Sequence, residues 1–343
     1  MEIARRYYHC KGCGGGAPWD VWAGVGNRSL TKEARRLAAL AGMSWSFDKA
    51  QKHLREFCHL QLSDDTIERV CQEEGIQVQR WIKQAPEPVK AFTAAKGLVE
   101  FSTDGVKINT VDGWREMRIS VWAKREACLA CAPEKWDQRV LNEPTARLAI
   151  CAIARSNVIG SSWQRFTQHL GLEETPLSVL GDGAKWIWNE SAKRFPSESK
   201  WCLDIYHNSQ HLHDCGKALL GQGPEARAWA DAHVHHQLAH NGPALIERLR
   251  AQRLTLAPEK QSALDGLLGY LEENRDSMWY RDRLQEGLPI GSGLIEGACK
   301  NMIGARLKAN SARWRVRRAE RVGALRCLDY SDQWDTYWLS TAA

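Results

Sequence analysis

Two aspartates, each followed by a glycine, are the residues of this sequence best suited to chemistry. Asp104 stands in FSTDGVKIN and Asp182 in VLGDGAKWIWN, and each follows a short apolar run that predicts a β-strand. An aspartate at the end of a strand is held rigidly by the sheet, while the loop beyond it exposes the carboxylate. Gly105 and Gly183 have no Cβ, so we expect that they let a ligand approach closely.

A metal site follows if the two aspartates lie on adjacent strands, because such strands are only about 5 Å apart. Carboxylates at that distance repel each other, and one takes up a proton unless a cation lies between them. Hard divalent cations prefer oxygen ligands, so we predict Mg²⁺ or Mn²⁺. Glu296, at the start of a predicted helix in GSGLIEGACKN, is the candidate third ligand. Three carboxylates that hold two ions about 4 Å apart suit in-line attack on a phosphodiester.

Each of these acidic residues also has an ordinary structural interpretation. An Asp-Gly pair is most often a turn, and Asp182 could simply cap the helix that follows it. A single glutamate on a helix is usually solvated. The order of the elements favours chemistry: a strand meander with one aspartate, a strand with the next, a helix with the glutamate, and then basic residues.

Positive charge is concentrated near the C-terminus, although the net charge of the chain is only +6. Between residues 300 and 326 the arginines and lysines are accompanied by one glutamate, Glu320, so they do not form a lattice of ion pairs. An aromatic side chain among them would offer an apolar plate for a nucleobase. A solvated helix face is the alternative, but the pattern favours DNA as partner. The predicted DNA-binding residues are Arg306, Lys308, Arg313, Trp314, Arg315, Arg317 and Arg318.

Length and composition limit the class of protein. The 343 residues allow two or three domains with a sizeable core. No apolar run approaches about 18 residues, and the N-terminus lacks the apolar part of a secretory signal. We therefore expect no membrane span and a cytoplasmic, nucleoid-associated location. Eleven scattered cysteines favour free thiols in a reducing compartment.

Cys10 and Cys13 form a C-x-x-C pair that could bind zinc. A zinc ribbon needs four ligands, usually from two such pairs, and the only other pair, Cys128 and Cys131, lies far away in the sequence. A joint site, half of an incomplete site and ordinary thiols all stay open as interpretations. Zn²⁺ is therefore a doubtful second cofactor beside Mg²⁺ or Mn²⁺.

The elements that must position these residues follow from periodicity and turn signals. Residues 29–85 predict three short helices, with Ser46 and Ser63 as N-caps and Gly42 and Gly75 as stops. A helix-turn-helix module and a plain helical bundle fit this pattern equally well. The proline pair in QAPEPVK predicts a linker after them.

A strand pattern begins after this linker. An antiparallel meander, with Asp112-Gly113 as its hairpin turn, carries Asp104 on its first strand. Helical periodicity returns at 145–172, and then come a strand that ends at Asp182, a helix, and the apolar strand KWCLDIYH. This order predicts a mixed sheet with at least one parallel crossover.

Six segments together resemble bacterial insertion-sequence transposases of the ISKra group: RYYHCKGCGGGAPWD, SFDKAQKHL, STDGVKI, LGDGAKWIWN, LDIYHNSQHL and GLPIGSGLIEGACKNMIGARLK. The resemblance extends from about Tyr7 to about Trp338. Those enzymes are similar to the mutator-like group, whose catalytic domain is an RNase H-like fold with a DDE triad and a helical insertion. The resemblance implies that Asp104, Asp182 and Glu296 are this triad, with two Mg²⁺ or Mn²⁺ ions.

The LDIYH segment resembles the C/D-x-x-H signature of the same group, which implies that Asp204 and His207 are auxiliary residues near the active site. Asp204 is thereby a rival of Asp182 as second metal ligand. We prefer Asp182, because its position between two glycines at the rim of the sheet suits access by a metal. Similar proteins carry a further C-x-x-C upstream of Cys10, so we expect that this chain begins inside a zinc ribbon, either because Met1 is a late start or because the copy is truncated.

The predicted fold class is mixed α/β, namely an RNase H-like catalytic domain with an all-helical insertion. A small helical region and a partial zinc-ribbon remnant precede it. The predicted divisions are a zinc-ribbon-like segment at 1–28, a helical or helix-turn-helix-like domain at 29–85, the first part of the catalytic core at 96–207, the helical insertion at 208–287, and the glutamate helix with the basic C-terminal helix at 288–338.

The predicted function is that of a DDE transposase. It would bind transposon ends and target as double-stranded DNA, cleave a strand, and join the freed 3′-hydroxyl to target DNA. Joining two ends implies a dimer or a larger assembly on DNA. Three alternatives stay open: an inactive, truncated copy that still binds DNA, another nuclease on the same fold, and a zinc-bound interaction module.

Overall fold

The elements are those of a computed structural model that describes residues 6–12, 14–22, 30–309 and 312–340. The N-terminal part contains β1 (Tyr8–Cys10), β2 (Gly14–Gly16), α1 (Pro18–Trp22), α2 (Lys32–Ser44), α3 (Phe47–Cys58) and α4 (Asp64–Gln84). The central part contains α5 (Pro86–Ala94), β3 (Leu98–Thr110), β4 (Gly113–Arg125), β5 (Ala146–Ala152), α6 (Ser156–His169), β6 (Ser178–Gly181), α7 (Lys185–Ala192), β7 (Lys200–Leu203), α8 (Ile205–Leu220), α9 (Pro224–Arg253), α10 (Pro258–Glu273), α11 (Tyr280–Gln285) and α12 (Gly293–Ala298). The C-terminal part contains a π-helical segment (Cys299–Gly304), α13 (Ala305–Leu307), α14 (Val316–Tyr330) and α15 (Trp334–Ser340).

The chain divides into two compact units. Unit 1 consists of Met1–Ala85, Ile108–Arg115 and Asn301–Ala343. Unit 2 consists of Pro86–Lys107 and Glu116–Lys300. The basic C-terminal segment therefore belongs to the unit of the N-terminal helices, whereas the predicted acidic ligands all belong to unit 2.

A five-stranded mixed sheet forms the centre of unit 2, in the order β5-β4-β3-β6-β7. β5 pairs antiparallel with β4, while β6 is parallel to β3 and β7 is parallel to β6. β3 and β4 are joined by a two-residue turn, after which Gly113 has a φ of 91°, a value that favours glycine. The predicted hairpin, mixed sheet and parallel crossover are confirmed, and with them a mixed α/β class, but the turn is Val111-Asp112 and not Asp112-Gly113.

An aromatic cluster fixes β3 in the sheet. The ring of Phe101 lies edge-on to Trp122, Trp163 and Phe195, with centroids 4.8–5.0 Å apart. Trp163 of α6 also donates its indole N–H to Ser120 Oγ at 2.7 Å. Burial of each such ring contributes about 1.5–3 kcal/mol. The backbone that carries Asp104 is therefore one of the best anchored parts of unit 2.

Between β7 and α12 the described chain is almost entirely helical, and we call α8–α11 the helical segment. Its buried leucines, Leu212, Leu238 and Leu271 among them, form one core with Leu203 at the end of β7. This shared core holds the helical segment at the edge of the sheet where Asp204 begins α8.

Two predicted helix boundaries in the N-terminal half are wrong. Gly75 does not stop a helix, since α4 continues to Gln84. A Cβ on Gly75 would lie 2.6 Å from both the Cβ and the carbonyl oxygen of Arg321 on α14, so glycine serves a close helix–helix approach. The proline pair is not a linker but the start of α5, because Pro86 lacks the N–H that the first turn leaves unpaired anyway.

Two predictions around the later strands also need correction. The stretch 145–172 is not wholly helical, because its first part forms β5, in which Leu148 and Ala149 are buried. The strand predicted in KWCLDIYH ends at Leu203. Asp204 instead caps α8, which places His207 in the first turn of a helix.

No helix in the described part of the chain has both the length and the apolar character that crossing a membrane requires.

We expect Gly75→Ala to destabilise unit 1 by about 1–3 kcal/mol, because the new methyl group would overpack the contact with Arg321. In an ordinary helix the same change stabilises by about 0.5–1 kcal/mol. Gly266 on α10 is exposed with nothing near its Cβ position, so Gly266→Ala is the matched control. Urea unfolding should show opposite signs for the two variants, and equal signs would contradict the packing described.

Candidate active site

Three aspartates stand at one level across the parallel strands of unit 2. Extending the β3–β6 register by two residues places Asp104 opposite Asp182. Extending the β6–β7 register by one residue places Asp182 opposite Asp204, and the Asp204 N–H donates to the Gly181 carbonyl at 2.8 Å. Because adjacent strands are about 4.8 Å apart, the sheet brings the backbones of neighbouring aspartates close together, and the charge of Asp182 acts on Asp104.

Asp104 lies inside β3 rather than at its end, at the point where the neighbouring β6 stops. Its Oδ1 accepts the Gly105 N–H at 2.6 Å, and its Oδ2 lies 3.8 Å from Cys299 Sγ. Burial raises the pKa of Asp104, and the charges of Asp182 and Glu116 raise it further, while the Gly105 hydrogen bond opposes this. Burial and the neighbouring carboxylates therefore disfavour the ionised form of Asp104, and a positive charge nearby would stabilise it.

From the sequence we expected that the two glycines after the aspartates let a ligand approach closely. In the structure, other side chains fill that space. A Cβ on Gly105 would lie 2.6 Å from the carboxyl group of Glu116, and one on Gly183 would lie 2.9 Å from Leu203 Cδ1. Gly183 also has a φ of 93°. Gly105 instead lets the Glu116 side chain pack against β3, and Gly183 lets the Leu203 side chain pack against the residues that follow β6.

Asp182 is half-buried and retains an unused oxygen. Its Oδ1 accepts the Ala184 N–H at 2.9 Å. Its Oδ2 accepts no hydrogen bond from any residue that the structure describes. The side chain does not occupy the N-cap position of α7, which is Ala184, but its bond to the Ala184 N–H forms an Asx turn, an ordinary role for an Asp-Gly pair.

Asp204 is buried, and both of its carboxylate oxygens are occupied. Oδ1 accepts the Tyr206 N–H at 2.9 Å at the start of α8. Oδ2 accepts the Ser292 hydroxyl at 2.5 Å. Ser292 immediately precedes α12, so Asp204 fixes the turn from which the Glu296 helix begins.

Glu296 lies on α12 as predicted, but its carboxylate faces solvent. The side chain is 62% exposed and pairs with Lys300 at 3.4 Å. One turn later Cys299 contacts Asp104, so α12 passes beside Asp104 while the glutamate points away from it. Within the described residues no three His, Cys, Asp or Glu side chains are assembled as a metal site. The predicted triad is therefore not preformed.

His207 is exposed in the first turn of α8, and its ring lies 5.1 Å from that of His211. His211 stacks in turn on Tyr270 of α10, with centroids 3.9 Å apart. Burial lowers the pKa of His211, and the nearby His207 lowers it further. The predicted auxiliary pair thus separates into a buried structural aspartate and a solvent-facing histidine.

The donor chemistry at Asp104 and Asp182 fits a hard divalent cation. The two carboxylates are adjacent, and one of them has a raised pKa, which a bound cation would reverse. Cys299 borders the pair but does not compete as a thiolate. Burial raises the pKa of Cys299, and the charges of Asp104 and Glu296 raise it further. Glu296 would join as a ligand only after leaving Lys300.

Two predicted DNA-binding residues are in the interior of unit 1, and we withdraw them from that set. Arg306 is 5% exposed, donates its Nε–H to the Gly42 carbonyl at 2.9 Å, and lies 4.9 Å from the ring centroids of Phe47 and Trp314. Burial lowers the pKa of Arg306 to about 10. Trp314 is 6% exposed and donates its indole N–H to the Leu307 carbonyl at 3.0 Å. Both side chains stabilise the core of unit 1.

The other predicted DNA-binding residues are on the surface. Arg318 forms an ion pair with Glu68 at 2.5 Å. The rest are exposed and have no acidic partner among the described residues: Lys308, Arg313, Arg315 and Arg317. They do not form one helix directly after Glu296, since the π-helical segment, α13 and a loop come before α14.

Of the two N-terminal cysteines predicted as zinc ligands, Cys10 is among the described residues. Cys10 ends β1 and its Sγ accepts the Gly12 N–H at 3.4 Å, while Cys13 lies outside the described residues. Cys128 accepts the Asn142 N–H at 3.1 Å in unit 2. Neither pair belongs to a described group of three metal-ligating side chains.

Four residues near the aspartates were not singled out from the sequence. They are Glu116 over Gly105, Cys299 beside Asp104, Ser292 on Asp204, and Tyr270 beside Gly183. Only Glu116 had a usable signal, because alternation in WREMRISVWA places it opposite the apolar face of β4. The other three contacts join residues more than 80 positions apart, which no local pattern reveals.

No protein-family model matches this chain, and the search of curated proteins finds no relative.

We expect Asp104→Asn to stabilise unit 2 near pH 7 when metal is chelated. The folded-state pKa of Asp104 is raised above its ordinary 3.8, so wild-type stability falls as the pH rises from that value through the folded-state pKa. The variant lacks this loss, and its advantage should grow from pH 4 to pH 7. Urea unfolding in EDTA across this range measures it. A pH-independent difference would mean that Asp104 carries no repulsive charge.

Proposed function

We propose that this protein is a DDE transposase of an insertion sequence, with an RNase H-like core, which cleaves transposon-end DNA and transfers the strand. The observation that carries the proposal is the placement of Asp104 and Asp182 opposite each other on parallel strands. The mixed sheet and the helical segment between β7 and the Glu296 helix support the same fold, since the resemblance implies an insertion at that point.

The roles of the residues in the proposed reaction follow from their surroundings. Asp104 and Asp182 would hold the first cation, and Glu296 would complete the site. When bound, two Mg²⁺ or Mn²⁺ ions supply activation of the attacking oxygen and stabilisation of the leaving oxygen. Asp204 binds no ion in this scheme, but keeps α12 in place through Ser292.

The choice between Asp182 and Asp204 as second ligand is supported by their hydrogen bonds. Asp204 is buried, and each of its oxygens already accepts one hydrogen bond, so it has less free acceptor capacity for a metal than Asp182. Asp182 has an oxygen without a partner in the described part of the chain. The proposal therefore keeps Asp182.

Double-stranded DNA is the proposed partner, as transposon ends and as target. The exposed arginine and lysine side chains of unit 1 without an acidic partner among the described residues, such as Arg315 and Arg317, would neutralise phosphates. Joining two ends requires two copies of the active site or more, so we propose a dimer or a larger assembly on DNA.

One observation favours a second candidate, an inactive transposase-derived protein that still binds DNA. Glu296 is paired with Lys300 and solvent-exposed, and the triad is not assembled. Gel-shift binding without metal-dependent nicking would support this candidate. Inverted repeats flanking the gene would instead favour a transposase over another nuclease with the same fold.

Cleavage of a DNA duplex that carries the ends of the element tests the proposed ligands. Asp182→Asn should abolish Mg²⁺-dependent nicking without lowering thermal stability, because it removes a charge that repels Asp104. Asp204→Asn should lower stability by about 1–3 kcal/mol, because it disturbs buried hydrogen bonds, and should leave residual nicking. If only the Asp204 variant lost activity, the assignment of the second ligand would be wrong.

Salt dependence of DNA binding tests the basic surface. Arg315→Gln and Arg317→Gln should each reduce the slope of log K against log salt by about 0.9, because each removes one phosphate contact. Arg318→Gln is the matched control, since Arg318 is already paired with Glu68 and should contribute less. Fluorescence anisotropy at several salt concentrations gives the slopes. Identical slopes for all variants would exclude this surface.

A further inference from the structure

The Tyr270 side chain of α10 reaches the loop that carries Asp182. A Cβ on Gly183 would lie 3.2 Å from the Tyr270 hydroxyl oxygen, and the same distance from Asn274 Oδ1. The helical segment thus contacts the residue next to the proposed ligand, at the place where glycine is required by a φ of 93°.

Further polar contacts hold α10 against α7, which follows this loop. Trp188 donates its indole N–H to Asn274 Oδ1 at 2.8 Å, and Asn274 Nδ2 donates to the Tyr270 carbonyl at 2.9 Å. Lys185 Nζ lies 2.8 Å from Glu273. These contacts join the end of α10 to the first turns of α7, and they hold Tyr270 beside the loop.

The hydroxyl of Tyr270 has no structural task in this arrangement. It is shielded from solvent and has no hydrogen-bond partner among the described residues. Buried hydroxyls are nearly always bonded, because an unpaired one loses its hydration without compensation. Stacking of the ring on His211 holds the side chain in place, and phenylalanine would serve that purpose equally well.

The surroundings of the hydroxyl make it a hydrogen-bond donor. Burial raises the pKa of Tyr270, and the negative charges of Asp182 and Asp204 raise it further, so the phenol keeps its proton. Asp204 has both oxygens occupied, by Tyr206 and Ser292. Asp182 is the preferred acceptor, because its Oδ2 accepts no hydrogen bond from a described residue and the Tyr270 hydroxyl lies beside Gly183, the next residue.

We propose that Tyr270 is a positioning residue for Asp182: its hydroxyl donates a hydrogen bond to the Asp182 carboxylate when a divalent cation is bound, and fixes the orientation in which that carboxylate is a ligand. The inference rests on the proposed function, because that function makes Asp182 a ligand. It also assigns the helical segment a task, which is to complete the surroundings of the metal site.

Binding of Mn²⁺ to the full-length chain, followed by electron paramagnetic resonance without DNA, tests the inference. Wild type should bind Mn²⁺, and Asp182→Asn should lose this binding. Tyr270→Phe should bind roughly 10-fold more weakly or worse, as is typical when a residue that orients a metal ligand is removed. In the cleavage assay, saturating Mn²⁺ should restore most of the Tyr270→Phe rate.

Thermal unfolding in EDTA separates positioning from a structural role. Tyr270→Phe should unfold at the same temperature as wild type or higher, because its hydroxyl has no partner to lose. Tyr280→Phe is the matched control in the same helical segment. The buried Tyr280 hydroxyl accepts a hydrogen bond from Asn208 at 3.1 Å. This control should unfold at a lower temperature and keep Mn²⁺ affinity within about twofold of wild type.

Two different failures can be told apart. If Asp182→Asn abolished Mn²⁺ binding while Tyr270→Phe bound as tightly as wild type, the inference would be overturned and the metal site would stand. If wild type and Asp182→Asn bound Mn²⁺ equally, the proposed function would lose its metal site, and the inference would fall with it. A lowered unfolding temperature for Tyr270→Phe with unchanged affinity would also assign the hydroxyl a purely structural role.

Discussion

The hydrogen-bond register of three parallel strands is the constraint on which the candidate site depends. It sets Asp104 opposite Asp182 on neighbouring strands, and the charge of Asp182 contributes to the raised pKa of Asp104. Two carboxylates about 5 Å apart repel by roughly 3 kcal/mol in surroundings with an effective dielectric constant of about 20. The aromatic packing of Phe101 under β3 offsets such a cost, but nothing in the fold of the sheet requires two aspartates there. A repulsion that the fold does not need is typical of a site that binds a cation.

Hydrogen bonds and packing contacts hold the elements around Asp104 and Asp182 in place. Asp204 uses its carboxylate to join α8 to the turn before α12, and so it positions the Glu296 helix. Cys299, a protonated thiol, packs between that helix and Asp104. The helical segment closes against the loop after Asp182. These contacts account for the difference between two neighbouring aspartates: Asp204 is buried and accepts a hydrogen bond at each oxygen, whereas Asp182 is half-buried and accepts one only at Oδ1 among the described residues.

Local patterns in the sequence were sufficient for the β3–β4 hairpin, for the strand before Asp182 and for the helix cap at Ser63, because each depends on alternation or on a short motif. They were not sufficient for β5, which lies in a stretch predicted to be helical. They failed where packing overrides local preference. Gly75 reads as a helix stop but permits contact between two helices, and Arg306 reads as a surface cation but lies between two aromatic rings. The aspartate glycines likewise read as room for a ligand, and that room is filled by Glu116 and Leu203. In each case the deciding neighbours include residues on other elements of the fold, so the pattern of one helix or strand does not predict the contact.

The separation of Glu296 from the aspartates is a small obstacle to an assembled site. The contact that holds it away is one ion pair with Lys300, in which both side chains are mostly exposed. Pairs of that kind contribute only about 0–1 kcal/mol, because water screens them and two long side chains lose freedom. Relief of the repulsion between Asp104 and Asp182 by a cation is a larger effect. The start of α12 is held by the bond between Ser292 and Asp204, so the Lys300 pair is the described contact that the Glu296 carboxylate would have to leave in the proposed site. If Asp104 and Asp182 bind a cation as proposed, the loss of this exposed ion pair is the smaller of the two effects.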